Sequence, residues 1–271
     1  MVLPGPEPGE RTKMSVNELD GVINFRDFGG GLGADGRRIR TGRLFRSGHF
    51  AAATNADIDR LAAMAFGLFV DLRRPPERAR DPARRPETPG ARLIEHGGPT
   101  DQAVAPHLTF LSEPGATPER VGEQMTVGYR YYPFDPFYVA VYREYFALLA
   151  ELDRPILVNC HAGKDRTGFL CALTLHVLGA HEDQIREDYM ATNRHNRADD
   201  RLVEMAAQFK ETHGHAPSEP LLRAMLAVDP AWLEAAFDSI AARHADTNAY
   251  LAEVVGLTPE KRDAIRERLL V

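Results

Sequence analysis

The residues of this chain whose types and spacing suggest chemistry most directly lie in the run Asn159-Cys160-His161-Ala162-Gly163-Lys164-Asp165-Arg166-Thr167-Gly168. Ile156-Leu157-Val158 precedes the run and reads as a buried strand, and the apolar stretch from about Thr167 to Leu178 reads as a helix. A strand-to-helix turn with Cys160 at one end and Arg166 at the other can fold into a cradle whose backbone N–H groups point inward at the positive end of the helix. Phosphate fits such a cradle without a metal. The same donors, with Arg166, favour the thiolate of Cys160, the form that attacks phosphorus. Arg166 offers two parallel donors to equatorial oxygens, which a lysine does not. Thr167 can hydrogen-bond the sulfur and ease its departure in a second step. A lone cysteine at a strand end is usually a packed thiol; Gly163, Lys164, Arg166, Thr167 and Gly168 around Cys160 argue for chemistry instead.

In-line attack on a phosphate ester also requires an acid at the leaving oxygen. Asp135, in Pro133-Phe134-Asp135-Pro136, is one candidate, although Asp before Pro commonly just opens a turn. Asp165 inside the turn is another, with pairing to a neighbouring arginine as its plainer reading, and Asp71 or no dedicated acid are the remaining alternatives.

The run resembles the phosphate loop of the protein-tyrosine-phosphatase superfamily, in the bacterial branch that reads His-Cys-x-x-Gly-Lys-Asp-Arg-Thr-Gly and includes secreted mycobacterial tyrosine and lipid phosphatases. The resemblance extends to Asn24-Phe25-Arg26-Asp27-Phe28-Gly29-Gly30, Leu44-Phe45-Arg46-Ser47-Gly48, Asp71-Leu72-Arg73 with Glu77, and Asp188-Tyr189 with Thr192-Asn193, in the branch's order. It implies hydrolysis of phosphotyrosine, with phosphoserine, phosphothreonine and phosphoinositides as further substrates, through a phosphocysteine on Cys160. Asp165 is then the implied acid and later base, and His161, Ala162, Gly163, Lys164, Thr167 and Gly168 the phosphate-binding positions. Lys164 is associated in related loops with multiply phosphorylated substrates. Asp71, Arg73, Glu77 and Asn159 are the implied supports, the first three orienting Arg166; a surface ion-pair cluster is their plainer reading. The branch usually has His where this chain has Asn159, a departure that predicts a less well poised thiolate. The alternative to an enzyme is a phosphate-binding pseudoenzyme or interaction module.

These residues must be positioned by a fold that 271 residues and 44% hydrophobic content can build as one large domain. Thr54 can cap a helix over about Asn55 to Phe66, with Ile58, Leu61, Ala62 and Ala65 on one stripe and Gly67 ending it. Leu68-Phe69-Val70-Asp71-Leu72 then reads as a strand. Residues 73–92 and 97–118 read as loops rich in Pro, Arg, Gly and Thr, helical spacing returns over Tyr138 to Leu152, and the chain beyond Gly179 is helix-rich. The expected fold is α/β: a central, mostly parallel sheet of about four strands flanked by helices. Residues 1–20 are the expected flexible leader and 21–271 one domain, with a helical lid within about 181–245, as the resemblance implies.

Composition limits the partners. A net charge of -6 supplies no basic field for nucleic acid or an anionic membrane, so an anionic substrate must be caught locally. Two cysteines are too few for a disulfide framework, and Cys171 reads as a packed thiol. Residues 1–10 lack a signal-peptide pattern, and no apolar run is long enough to span a membrane. The expected location is the cytoplasm, or outside the cell by a non-standard route. No cofactor or metal is expected, because no His-Glu-x-x-His or paired-cysteine spacing occurs. Gly31-Leu32-Gly33-Ala34-Asp35-Gly36 matches a dinucleotide fingerprint formally, but no helix signal follows, and it reads as a turn.

Overall fold

The computed structural model describes residues 19–97 and 115–271, so most of the expected leader and of the loop expected over 97–118 lies outside the described residues. Strands β1 (Arg26–Asp27), β2 (Leu44–Ser47), β3 (Leu68–Asp71), β4 (Arg92–Ile94) and β5 (Ile156–Asn159) form one sheet in the order β1-β2-β5-β3-β4. β1 pairs antiparallel with β2, and every other pairing is parallel. The five-stranded sheet has one strand more than the sequence led us to expect. β1 and β4 are two and three residues long, too short for an alternation to register.

The strands that carry the sheet are buried on both faces, which is why they read as continuous apolar runs. Their residues still sort by the two-residue period. Leu44, Leu68, Val70, Ile156 and Val158 enter one core, while Phe45, Phe69 and Leu157 enter another on the opposite face. The second core is closed by α1 (Asn55–Ala63), where Thr54 and Asp57 form a capping box. Helix α1 ends at Ala63, short of the expected Phe66: Ala65, not Gly67, takes the left-handed φ of 51° that reverses the chain.

On the other face lie α3 (Pro118–Tyr131), α4 (Pro136–Leu149) and α5 (Asp165–Val177), after the short α2 (Pro75–Arg80). They are followed by α6 (Glu182–His195), α7 (Ala198–His213), α8 (Glu219–Leu226), α9 (Pro230–Ala241), α10 (Thr247–Tyr250, running into a π turn over Leu251–Val255) and α11 (Pro259–Leu269). Several begin with proline in the first turn, where its missing N–H costs nothing. Residues Ala34–Gly36 make a single 3₁₀ turn, so the formal dinucleotide fingerprint is a turn. Because β5 lies between β2 and β3, its C-terminal end meets the ends of both neighbours, with Asn159 level with Ser47 and Asp71. That edge is where ligands bind in open parallel sheets.

Candidate active site

Cys160 leaves the end of β5, and Asp165 begins α5, so residues 160–164 are the expected strand-to-helix loop. What shapes it is the outside. The carbonyls of residues 161–164 all accept hydrogen bonds from neighbouring segments: His161 from the His49 N–H at 3.1 Å, Ala162 and Gly163 from Asn24 Nδ2 at 3.3 and 2.7 Å, and Gly163 and Lys164 from Arg46 Nη2 at 2.9 and 3.4 Å. With these carbonyls engaged, no hydrogen bond among the described residues uses a backbone N–H of residues 161–164. Gly163 makes this possible. Its φ is +68°, and a Cβ there would lie 2.4 Å from the Ser47 carbonyl. Arg46 is wholly buried and is held by Asp188 at 2.5 Å; Asp188 also pairs with Arg26 at 3.3 Å. Burial alone would lower the Arg46 pKa, but the Asp188 carboxylate raises it above its ordinary value.

Arg166, in the first turn of α5, donates from Nη1 and Nη2 to the two oxygens of Glu77 at 2.6 and 2.8 Å. The second Nη1 hydrogen is directed at the Leu72 carbonyl, 3.4 Å away. Burial opposes both charges, yet Arg166 brings the Glu77 pKa down to about 2, and Glu77 raises that of Arg166 well above its ordinary value. Among the described residues, the Nε–Nη2 edge of the guanidinium is left without a partner, and that edge carries two parallel donors.

Among the described residues, neither Asp71 nor Arg73 makes a hydrogen bond or ion pair with Arg166, contrary to the expectation that both orient it. Asp71 sits at the end of β3 with both oxygens on the Arg73 side chain at 2.8–3.3 Å, on Arg85 at 2.9 Å and on Asn159 Nδ2 at 3.1 Å. Asp71 and Arg73 are fully buried, and although burial raises the Asp71 pKa, its bonds to Arg73 bring it below the usual carboxylate value. The register explains the difference: Asp71 lies across from Asn159, so it fixes the residue before the nucleophile. Glu77 reaches Arg166 because it is at the third position of α2, from which it also caps the Arg74 N–H at 2.9 Å.

Asp165 Oδ1 accepts from the Tyr129 hydroxyl at 2.8 Å and from Lys164 Nζ at 3.1 Å. Among the described residues it pairs with no arginine. Lys164 is buried rather than solvated: its Nζ also donates to the Ala227 carbonyl at 3.0 Å and lies 5.3 Å from the centre of the Trp232 ring. Asp135 is elsewhere engaged, one oxygen capping the Phe137 N–H at 2.9 Å and the other on Arg74 at 2.6 Å. Thr167 is buried and its Oγ1 makes no hydrogen bond, so the expected bond to the sulfur is not formed here.

His161 stacks on His49 with ring centres 4.6 Å apart, and its pKa is pushed down to about 3 by burial, then by His49 and Arg166. Among the described residues its buried Nδ1 has no hydrogen-bond partner. Ring nitrogens of these two histidines and an Asp81 oxygen lie within 4.8 Å of one another, a donor set of the kind that takes a divalent ion. The charges of Arg166, Arg80 and Arg73 act on the same two rings and oppose a cation there. Cys171 is fully buried in α5, and burial pushes its thiol up to about 12, in keeping with a packed residue.

Sequence reasoning gave no role to Asn24, Arg46 or Tyr129. The first two sit in motifs it singled out, but their contact with the loop is made across more than 100 residues of chain. Tyr129 was missed with its helix, although Thr117-Pro118 is a start signal and Val121, Met125 and Tyr129 are buried at spacings of four.

Comparison with known proteins agrees with this geometry. A profile of the tyrosine phosphatase family matches residues 17–271. A protein of Cupriavidus necator named as a tyrosine-protein phosphatase is 32% identical over 250 residues, 88% of this chain and 83% of that protein. The triple specificity protein phosphatase PtpB of Mycobacterium tuberculosis is 33% identical over 198 residues, 66% of this chain and 70% of PtpB.

Proposed function

We propose, from the premise that this chain belongs to the tyrosine phosphatase family and is a phosphatase acting on phosphoproteins, that Cys160, Asp165 and Arg166 carry the reaction. Cys160 Sγ attacks phosphorus in line, the ester oxygen leaves with a proton from Asp165, and the phosphocysteine is hydrolysed by a water that Asp165 deprotonates. The N–H groups of residues 161–166 and the free edge of Arg166 hold the equatorial oxygens. Thr167, in the first turn of α5, is proposed to assist the departing sulfur; its Oγ1 has no hydrogen-bond partner among the described residues, which leaves it free for that role. The observation that carries the reading is the end-on grip of Glu77 on Arg166, which leaves a two-donor edge for phosphate.

Phosphoserine, phosphothreonine and phosphoinositides are proposed as further substrates. The Lys164 cation in the loop and a relative named for triple specificity support that range. The segment from α6 to α9 is proposed as a lid: Lys164 reaches from the loop to the Ala227 carbonyl between α8 and α9. Asp135 is not favoured as the acid, because both its oxygens are occupied. Relatives named as phosphatases likewise disfavour a phosphate-binding pseudoenzyme.

Hydrolysis of an aryl phosphate in EDTA tests the roles. Wild type is expected to turn over, Cys160→Ser to be inactive while still binding phosphate, and Asp165→Asn to be strongly slowed. Substantial activity in Cys160→Ser would overturn the nucleophile, and full activity in Asp165→Asn the acid.

A further inference from the structure

We propose that Tyr129 is a positioning residue for proton transfer: its hydroxyl occupies Oδ1 of Asp165 and so reserves Oδ2 for the leaving oxygen of the substrate. The inference rests on the reading of Asp165 as the acid and adds a residue from a separate helix to it.

Tyr129 lies in α3 with no exposed surface, its ring set among Tyr132, Tyr189 and Trp232 with centres 5.0, 6.3 and 6.2 Å away. Burial, then the neighbouring Asp165 charge, raises its pKa well above the ordinary value, so the phenol keeps its single proton. Its oxygen is 2.8 Å from Asp165 Oδ1 and 2.7 Å from the Tyr189 hydroxyl. A carboxylate only accepts, so the Tyr129 proton goes to Asp165, and Tyr189 must donate to Tyr129. Lys164 Nζ supplies a second donor to the same Oδ1 at 3.1 Å.

An oxygen that already receives two donors has no room for a proton of its own. When Asp165 is protonated, the proton therefore sits on Oδ2, which accepts no hydrogen bond among the described residues. Asp165 sets the direction of the Tyr129 proton, and Tyr189 of α6, whose hydroxyl lies behind that of Tyr129, packs on Gly168. A Cβ at Gly168 would come within 2.8 Å of the Tyr189 ring, so that contact requires glycine.

The test is the dependence of rate on the leaving group. A poor leaving group such as phenoxide needs the proton, whereas dinitrophenoxide departs without one. Tyr129→Phe keeps the ring and removes the hydroxyl. Its kcat/KM for phenyl phosphate, which covers only the steps through formation of the phosphocysteine, is expected to fall about tenfold, part of the 10²–10⁴-fold that a positioned acid contributes, with kcat/KM for dinitrophenyl phosphate nearly unchanged. Tyr189→Phe leaves the Tyr129 bond to Asp165 in place and is expected to keep most of the phenyl phosphate rate. Equal losses of kcat/KM on the two substrates, or an unchanged kcat/KM for phenyl phosphate in Tyr129→Phe, would overturn the proposal, as would an equally selective loss in Tyr189→Phe. Asp165→Asn run in parallel separates the two layers. If it spares phenyl phosphate, the acid assignment itself fails; if it is leaving-group selective and Tyr129→Phe is not, only the role of Tyr129 falls.

Discussion

Glu77 holds Arg166 by the end of its guanidinium, both carboxylate oxygens engaged at 2.6 and 2.8 Å, and so decides which edge of the arginine faces the loop. The Nη1–Nη2 end is taken up by Glu77. The Nε–Nη2 side is what remains, and two parallel N–H groups match two oxygens of a phosphate.

Removing the charge of Glu77 while keeping its shape should therefore damage aim rather than folding. Glu77→Gln is expected to lower kcat/KM roughly 10²-fold, the scale of a misdirected preorganised donor. The check is steady-state kinetics alongside phosphate binding to the variant in a Cys160→Ser background. A variant with unchanged kcat/KM would show that Arg166 needs no such hold.

The same pair predicts how stability responds to acid. The folded-state pKa of Glu77 is about 2, below its ordinary 4.5, so its contribution is complete above pH 4.5 and is lost as pH falls toward 2. At neutral pH that contribution is on the order of 3 kcal/mol. His161 acts with the same sign: its folded-state pKa of about 3, against an ordinary 6.5, means that protonation favours the unfolded chain as pH falls below 6.5. Thermal unfolding followed from pH 7 to 3 should show the midpoint dropping throughout, more steeply below pH 4.5. Glu77→Gln should remove the steeper part, and His161→Gln should soften the part above it.

Gly163 carries a backbone demand that no other residue meets. A methyl group there must fit 2.4 Å from the Ser47 carbonyl while φ stays near +68°. Gly163→Ala should cost about 2–4 kcal/mol if the loop keeps its form, through clash and left-handed strain together. If the loop relaxes instead, stability is spared and activity is lost. Denaturant unfolding and turnover measured on the same preparation distinguish these outcomes, and a variant normal in both would contradict the packing of Gly163 on Ser47.

The parts of this site that a sequence displays are those made by neighbours in the chain. Val158, Cys160, Gly163 and Arg166 fall within one strand-to-helix turn, so the period change from strand to helix locates them. The sheet strands β2, β3 and β5 are legible for the same reason, being apolar on both faces. The supports are different in kind. Nothing local says that Glu77 rather than Asp71 meets Arg166, since the choice depends on Asp71 lying level with Asn159 across the sheet. Tyr129 reaches Asp165 only because α3 packs beside α8 and α9, and Lys164 looks solvated until Ala227 and Trp232 close over it. Long-range register and helix packing set these contacts.

Arg166→Lys tests whether a charge alone suffices. Lysine preserves the positive charge of the loop but has neither the two-donor edge for phosphate nor the planar end that Glu77 grips. The expected result is a fall in kcat of about 10²–10³-fold, the range seen when a preorganised transition-state donor is removed, with a smaller change in KM. The Glu77 carboxylate, left beside a point charge, should also lose part of its hold on the start of α2. A Glu77→Gln, Arg166→Lys double variant then gives the coupling: because the two residues act as a unit, its loss of activity should be well short of the product of the single losses. Multiplicative losses would mean that Glu77 and Arg166 act independently, and the end-on grip would be a structural ion pair with no bearing on how phosphate is held.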